Sequence, residues 1–558
     1  MRTAFPRLTG RALAGLLWLA LGVSLAGAGD AGDPGRPEVG ERASLVIPQE
    51  CAVVRRLAIR RSNVFDADES HTRRFYGRWA NRLHAVTREP VIRRGLRFAP
   101  GDSVCRDDLE AAVRRLRAYR FLRGNIDVTV DPAPGDSVDV TLHTRDAWTT
   151  RPTFQFRKDG RVTTWSIGLS ESNLLGLGKG AGVEVGRGEV HGFYGGWLRD
   201  PQFTRFEMLF QAGLYDGDDL WLRSLLVERP YERARTPWGL RLEDSAYRGI
   251  VVDHRGGVDG PEWHTDQWLV NAGGGVRLWS RGETALRAGP AVHLLRERYR
   301  PPVEDAETPA LPGGQLADRD IRMIGAELDL ARSRYSDRAG INAFYRSEDF
   351  DLGATFRLRG GYSAQTWGAA RDGWWFGGRG TQGLSLGPRR FLLGTISGEG
   401  QWAGGRAEDV RIQTALNGYA NLDRRQTLAA AVRYGHGTRM APQAVYTLGA
   451  ITGLRGFESY RYWGERSLLV NLEDRIAIAD DLLGLLTAGL TVFSDWGWVW
   501  PAGSHQEARP RGVVGLGLRL LGSRTAGTLV TRIDIGFPVA GAPPGAGPVI
   551  SIGTGQVF

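Results

Sequence analysis

The sequence predicts a mainly β protein, a transmembrane antiparallel β-barrel of about 16 strands preceded by one small α+β domain. Three observations carry this. From Pro152 onward, short segments alternate apolar residues with polar residues or glycine, and Gly, Asp, Pro and Asn punctuate them. Of 18 tryptophans, 15 fall after Thr150, as two interfacial girdles of aromatic residues require. Past Asp30 no run of about 18 apolar residues occurs, so no spanning helix is encoded.

The elements follow in chain order. Arg2, Arg7 and Arg11 precede the apolar stretch Ala12 to Ala26, and Ala26-Gly27-Ala28 offers a small-x-small cleavage site. This pattern predicts a signal peptide over 1–28 and an exported chain. Residues 29–50, rich in Gly, Asp, Pro and Glu, predict a flexible linker. The formal net charge is +10, and between Ala52 and Asp146 19 Arg face 13 acidic residues. A solvated basic face accounts for this, as does a domain lying near anionic lipid head groups. Export sets nucleic acid aside as a partner.

Residues 51–148 form the front domain. Val53, Leu57 and Ile59 mark a strand, and Phe75, Trp79 and Leu83 recur at the spacing of a short helix. Thr87, three residues before Pro90, suits a second helix start, with Val91, Ile92 and Leu96 on its apolar face. From about Arg106 a further helix turns Leu109, Val113, Leu116 and Phe121 inward. Ile126-Val128-Val130 and Val138-Val140-Leu142 are strands joined through Asp131-Pro132-Ala133-Pro134-Gly135. Cys51 stands before the first strand and Cys105 at the last helix start. A disulfide between them and two unpaired small thiols are both open; a bond would add about 4 kcal/mol at best. Two cysteines exclude a disulfide scaffold or a cysteine-rich metal domain.

Residues 149–558 supply the barrel. Leu428, Ala430, Val432 and Tyr434 alternate with Ala429, Ala431 and Arg433, and Val514, Leu516, Leu518 and Leu520 with Gly515, Gly517 and Arg519. Alternation alone fits a soluble sandwich as well. The tryptophans and the missing separate core favour a barrel whose apolar face meets lipid. About four hundred residues at about 25 per strand and connection give the expected 16 strands. Ile550, Ile552, Gly553, Gly555 and Phe558 belong to a closing strand with a terminal aromatic, and the two glycines leave it little side-chain packing. A weak seam against the first strand is the expectation.

Two sets of residues carry a family resemblance. The front domain, with Asn63-Val64-Phe65, Val91-Ile92-Arg93-Arg94, Phe98-Ala99-Pro100-Gly101-Asp102 and Arg120-Phe121-Leu122, resembles a POTRA domain, with an insertion near 66–86. The segment Gly449-Ala450-Ile451-Thr452-Gly453-Leu454-Arg455-Gly456-Phe457 resembles the R-G-F/Y signature of the BamA/TamA superfamily of outer-membrane assembly factors and secretion transporters. The resemblance implies that Leu454, Arg455, Gly456 and Phe457 tip a loop folded into the lumen. It further implies that Arg455 pairs with acids on the next two strands, and Glu473 and Asp495 stand in the matching places. Leu174-Leu175-Gly176-Leu177-Gly178-Lys179 is similar to a turn of single-POTRA members. There is room for one such domain, fewer than general assembly factors carry.

The resemblance implies an outer-membrane location in a Gram-negative-type bacterium, with the POTRA domain in the periplasm. It implies a factor that inserts or secretes client proteins through a barrel seam or lumen. Its partners would be outer-membrane lipid, unfolded clients or barrel precursors, and a periplasmic or inner-membrane accessory protein. The alternative is a passive, porin-like channel. No catalytic residue, cofactor or metal is expected. Gly383-Leu384-Ser385-Leu386-Gly387 matches a nucleophile elbow but lies in an alternating strand, and the nine histidines are scattered. Asp216-Gly217-Asp218-Asp219 suits a hairpin turn.

Overall fold

The computed structural model describes residues 51–558 apart from 66–74, 120, 124–125, 160–161, 207, 232–233, 235, 256–259, 302–313, 501–508, 525–529 and 543–544. The signal peptide and linker expected over 1–50, and the first part of the expected insertion, lie outside the described residues.

The front domain runs β1 (Ala52–Ser62), α1 (Phe75–Leu83), α2 (Glu89–Leu96), β2 (Ser103–Val104), α3 (Arg106–Arg117), β3 (Asp127–Ala133) and β4 (Ser137–Arg145). Its sheet has the order β2-β1-β4-β3, with β1 parallel to β4, so β3 is an edge. Val54, Val138, Val140 and Leu142 of the sheet and Ile92, Leu96, Leu109 and Leu116 of the helices are buried. Helix α2 begins at Glu89, after the N-cap Arg88, with Pro90 in its first turn. Thr87, expected to start it, is fully buried and bonded elsewhere. Trp79 and Leu83 of α1 point outward, at 64% and 59% exposure, while Ala80 is buried on Val64 and Phe65. Cys51 and Cys105 form a disulfide that ties the start of β1 to the start of α3.

Among the described residues, the rest of the chain closes one barrel of 20 strands, from Thr150–Asp159 to Val549–Thr554. This corrects the expected 16. The allowance of about 25 residues per strand was too generous, because several hairpins turn in two residues. Asp218–Asp219, Gly282–Glu283 and Gly404–Gly405 are such turns, the last with both glycines at positive φ. Large apolar side chains cover the outer face: Phe154, Ile167, Val183, Leu198, Leu214 and Leu516 are all more than half exposed. A band of this kind cannot rest in water and marks a surface made for lipid.

The front domain and barrel meet at short turns. Arg88 N–H donates to Gly176 O at 2.9 Å, Trp148 N–H to Arg524 O at 2.9 Å, and Gln202 Nε2 to Val91 O at 2.9 Å. Gly176 and Gly178 have positive φ, and a Cβ on either would collide with Val86 or Val91. The sequence Leu174 to Lys179 is therefore the turn that lets the barrel rim touch the domain.

Asp146 is buried in this junction. Its Oδ2 accepts Thr87 N–H at 2.7 Å and Thr87 Oγ1–H at 2.9 Å, and His84 Nε2 is 3.7 Å away. Burial lifts its carboxyl to about 6, against the pull of the Thr87 bonds. Burial also lowers His84. The folded state thus takes up the Asp146 proton before the unfolded state does. This contribution is unfavourable at neutral pH and disappears as pH falls from about 6 to about 4, a gain of at most about 3 kcal/mol. His84 acts the other way, so the difference from Asp146→Asn isolates the carboxyl. Denaturant titrations at neutral and acid pH should show the stability of the wild type relative to Asp146→Asn rising on acidification. Parallel curves would refute the burial argument.

Candidate functional site

The connection between strands Gln426–Thr438 and Arg466–Leu482 runs through a small ribbon, Tyr446–Leu448 paired with Tyr462–Gly464, and its tip enters the barrel. Five barrel strands follow it, ending with Val549–Thr554. Leu454, Arg455 and Phe457 are buried at 0%, 0% and 4% exposure. Leu454 and Phe457 pack with Leu448, Leu469, Phe493, Val499 and Val513. Gly456 sits at φ +83° where a Cβ would strike Val513 and press on Gly536, so only glycine fits.

Strand alternation aims the partners inward. On Arg466–Leu482 the buried set is Leu469, Asn471, Glu473, Arg475 and Ala477, and Asn471 stands opposite Asp495 of Leu486–Trp500. The Arg455 guanidinium forks onto Asp495, with Nε to Oδ2 at 2.8 Å and Nη2 to Oδ1 at 2.7 Å, while Nη1 reaches Glu473 Oε1 at 2.6 Å. Its backbone N–H also donates to Asp495 Oδ2, at 3.2 Å, and its guanidinium lies 3.5 Å from the Phe493 ring centre. Asn471 Nδ2 joins Asp495 Oδ1 to Gly453 O, each at 2.7 Å, tying loop to wall.

Arg519 and Asp534 complete the cluster. Arg519 Nη1 donates to Asp534 Oδ1 at 2.6 Å, Arg475 Nε to Glu473 Oε2 at 2.8 Å, and Asp534 Oδ2 lies 3.8 Å from Arg455 Nη1. Arg455, Arg475 and Arg519 and Glu473, Asp495 and Asp534 all have fully buried side chains, so three fully buried positive groups balance three negative ones, and Arg532, 17% exposed, reaches Asp534 Oδ2 at 2.8 Å from the edge. Such balance is what makes burial tolerable, because a lone buried charge costs several kcal/mol. The sequence reading missed Arg519 and Asp534. Arg519 is an inward charge between Gly517 and Leu521, and Asp534 follows by two residues Arg532, which donates to it at 2.8 Å; those inward charges were the available signal.

The closing strand is the shortest of the barrel, six residues. Ile550 is exposed on the outer face, Ile552 is half-buried, and Gly553 lies opposite Arg532. The strand stops at Thr554, which corrects the expected run to Phe558. Gly555, at φ +81°, turns the chain inward. Gln556 Nε2 then donates to Asn342 O at 3.0 Å, and Phe558 lies under the Arg475 guanidinium beside Phe391 and Tyr419. An aromatic side chain with a cation and aromatic neighbours inside has no reason to stay in the wall.

A second element enters the lumen from the front-domain side. Between strands Arg319–Arg332 and Ala354–Ser363, Tyr335–Ala339 pairs with Ser347–Asp351. The tip of this hairpin is buried at Ile341, Ala343 and Phe344. Arg475 Nη1 donates to Ile341 O at 2.9 Å, Arg346 Nη2 to Gly522 O at 2.5 Å, and Asn421 Nδ2 to Ala339 O at 3.1 Å. Glu348 braces the tip by accepting from Asn342 N–H at 2.7 Å and Ala343 N–H at 3.1 Å. On the domain side, Arg117 of α3 reaches Asp349 at 3.4 Å, and Arg114 lies over Tyr335. Ser385 of the elbow-like sequence ends a strand, is held by Arg338 Nη2 at 3.1 Å, and is followed by another strand, Arg390–Ala403. No group of three or more metal-binding side chains occurs among the described residues.

No family model and no curated protein matches the chain. Among solved structures, it is similar to CdiB from Escherichia coli at 14% identity, covering 90% of this chain and 76% of that one, TM-score 0.46. It is similar to CdiB from Acinetobacter baumannii at 13% identity, covering 100% and 99%, TM-score 0.42. It is also similar to BamA from Haemophilus ducreyi lacking POTRA domains 1-3, at 14% identity, covering 90% and 84%, TM-score 0.35.

Proposed function

We propose that this protein is an outer-membrane barrel of the BamA/TamA superfamily that inserts or exports client proteins, with residues 51–148 as a single periplasmic POTRA domain. The observation that carries this is the Arg455 loop, folded into the lumen and clamped to Glu473 and Asp495. A passive pore gains nothing from a fully buried ion cluster that ties a loop to the strands leading to the closing strand. A barrel that must open at one seam and reclose does gain from it, because the cluster fixes the wall on one side of the seam. The six-residue closing strand is the weaker side, with few ladder hydrogen bonds to break. Client strands would add to the freed edge, and the POTRA edge β3 would present them. No catalysis, cofactor or metal enters this reading.

Locking the seam tests it. Cysteines at Ile552 and at successive positions of Thr150–Asp159 are joined by oxidation in the membrane. The locked protein should stop assembling or exporting clients, and reduction should restore the process. A photo-crosslinker at Ile550 should capture client segments during assembly. Unchanged client assembly with the seam fully locked would overturn the proposal.

A further inference from the structure

Helix α1 has no counterpart in the proposed mechanism, yet it carries the most exposed tryptophan of the front domain. Its inner face, Gly77, Ala80 and the following His84, is buried, with Ala80 against Val64 and Phe65 and Trp148 beside them. Trp79 and Leu83, four residues apart, share the outer face at 64% and 59% exposure. The chain just after α1 is stitched to the barrel rim: Asn173 Nδ2 donates to Ala85 O at 3.4 Å and Arg88 Nε to Leu175 O at 3.2 Å. At that rim Leu174 and Leu175 are 45% and 66% exposed. They follow, after Ser172 and Asn173, the strand Val162–Glu171, whose outer face shows Trp165, Ile167 and Leu169. The outer apolar belt therefore continues past the end of the wall, through Leu174 and Leu175, to the segment that carries Trp79 and Leu83.

Charge points to the same occupant. From Phe75 to Arg88 the chain holds three arginines and no acid, and Arg78 and Arg82 are exposed on α1. Trp and Leu flanked by Arg on a short helix are the composition that lies in a head-group layer, the rings at the boundary and the guanidinium groups on phosphates. Resting on the membrane reading above, we propose that α1 and the Leu174–Leu175 turn form an interfacial anchor. They hold the front domain against the anionic phospholipid leaflet on its side of the barrel. Trp148, packed against the core under α1, leads directly into the first barrel strand, so the anchor lies beside the seam. Lipid disturbed by Trp79 would be the lipid through which an opened seam exchanges its client.

The full-length protein, with its disulfide intact, is reconstituted in vesicles of phosphatidylcholine alone or with phosphatidylglycerol. An environment-sensitive fluorophore is attached to Trp79→Cys, to Leu516→Cys on the barrel wall, and to Asp131→Cys on the far edge of the domain. In vesicles the labels at 79 and 516 should be blue-shifted, and brominated-chain lipid should quench them, with 131 unchanged in both. Arg78→Glu with Arg82→Glu should weaken quenching at 79, most in phosphatidylglycerol. Quenching at 516 with a water-like label at 79 would overturn the anchor and leave the membrane reading standing. A label at 79 that is blue-shifted but unquenched, as much in detergent as in vesicles, would mean that protein covers the helix, and would overturn it too. No quenching at 516 would bring down both.

Discussion

Replacing Arg455 by alanine should cost the barrel about 3–5 kcal/mol, because the truncation leaves Asp495 and Glu473 fully buried without their shared cation. The size follows from what remains. Asp495 keeps Asn471 as a donor and Glu473 keeps Arg475, but the cluster falls from three cations against three carboxylates to two against three. The loop also loses the bidentate grip that orients Phe457, so the tip should leave the wall. Arg455→Lys should recover only part of the loss, since one ammonium cannot fork onto Asp495 and reach Glu473 together. The double variant Arg455→Ala/Asp495→Ala should lose less than the two single losses summed, because each removes the other's unpaired charge. Heat-modifiable gel mobility reports the folded barrel, and the outer-membrane proteome reports client assembly. If Arg455→Ala leaves both unchanged, the loop is not the element that sets wall strength.

The candidate site was legible because its signals are local. Arg455-Gly456-Phe457 needs its glycine, and strict alternation places Asn471, Glu473 and Asp495 on one face before any coordinates exist. The front domain was legible for the same reason: Val91, Ile92 and Leu96, and Leu109, Val113 and Leu116, share helical faces, and the structure buries both sets. Periodicity shows that residues share a face, not which way the face looks. Phe75, Trp79 and Leu83 have the spacing of a core stripe, yet the side of α1 that is buried presents Gly77 and Ala80. Strand number failed because it depends on turn length: the allowance per strand assumed longer connections than two-residue turns such as Asp218–Asp219 and Gly282–Glu283. The hairpin Tyr335–Asp351 was invisible because its partners come from far along the chain: Arg475, Gly522 and Gln556. No short window of sequence contains that information.

Excising the hairpin should turn a quiet barrel into a conducting one. Tyr335 stands opposite Asp351, and Leu352 N–H already bonds to Arg334 O at 2.7 Å. An Asn-Gly turn can therefore join the stubs without disturbing the wall strands Arg319–Arg332 and Ala354–Ser363. What is lost is Ile341, Ala343 and Phe344 in the mouth, the Arg475 bond to Ile341 O, and the Gln556 bond to Asn342 O. The ion cluster keeps all six members, so heat-modifiable mobility should persist while planar-bilayer conductance rises to that of an open pore. Arg117→Glu should act far more weakly. Its pair with Asp349 is partly exposed at 3.4 Å, a contact of about 0–1 kcal/mol, and its loss should give brief openings instead of a steady current. The contrast separates two roles: the buried tip blocks the mouth, and the domain contact only biases it. If the excised, folded protein conducts no more than the parent, the lumen is closed by the Arg455 loop alone. The hairpin would then serve as a brace for Phe558 and Arg475, and client passage through the lumen would require that loop to leave.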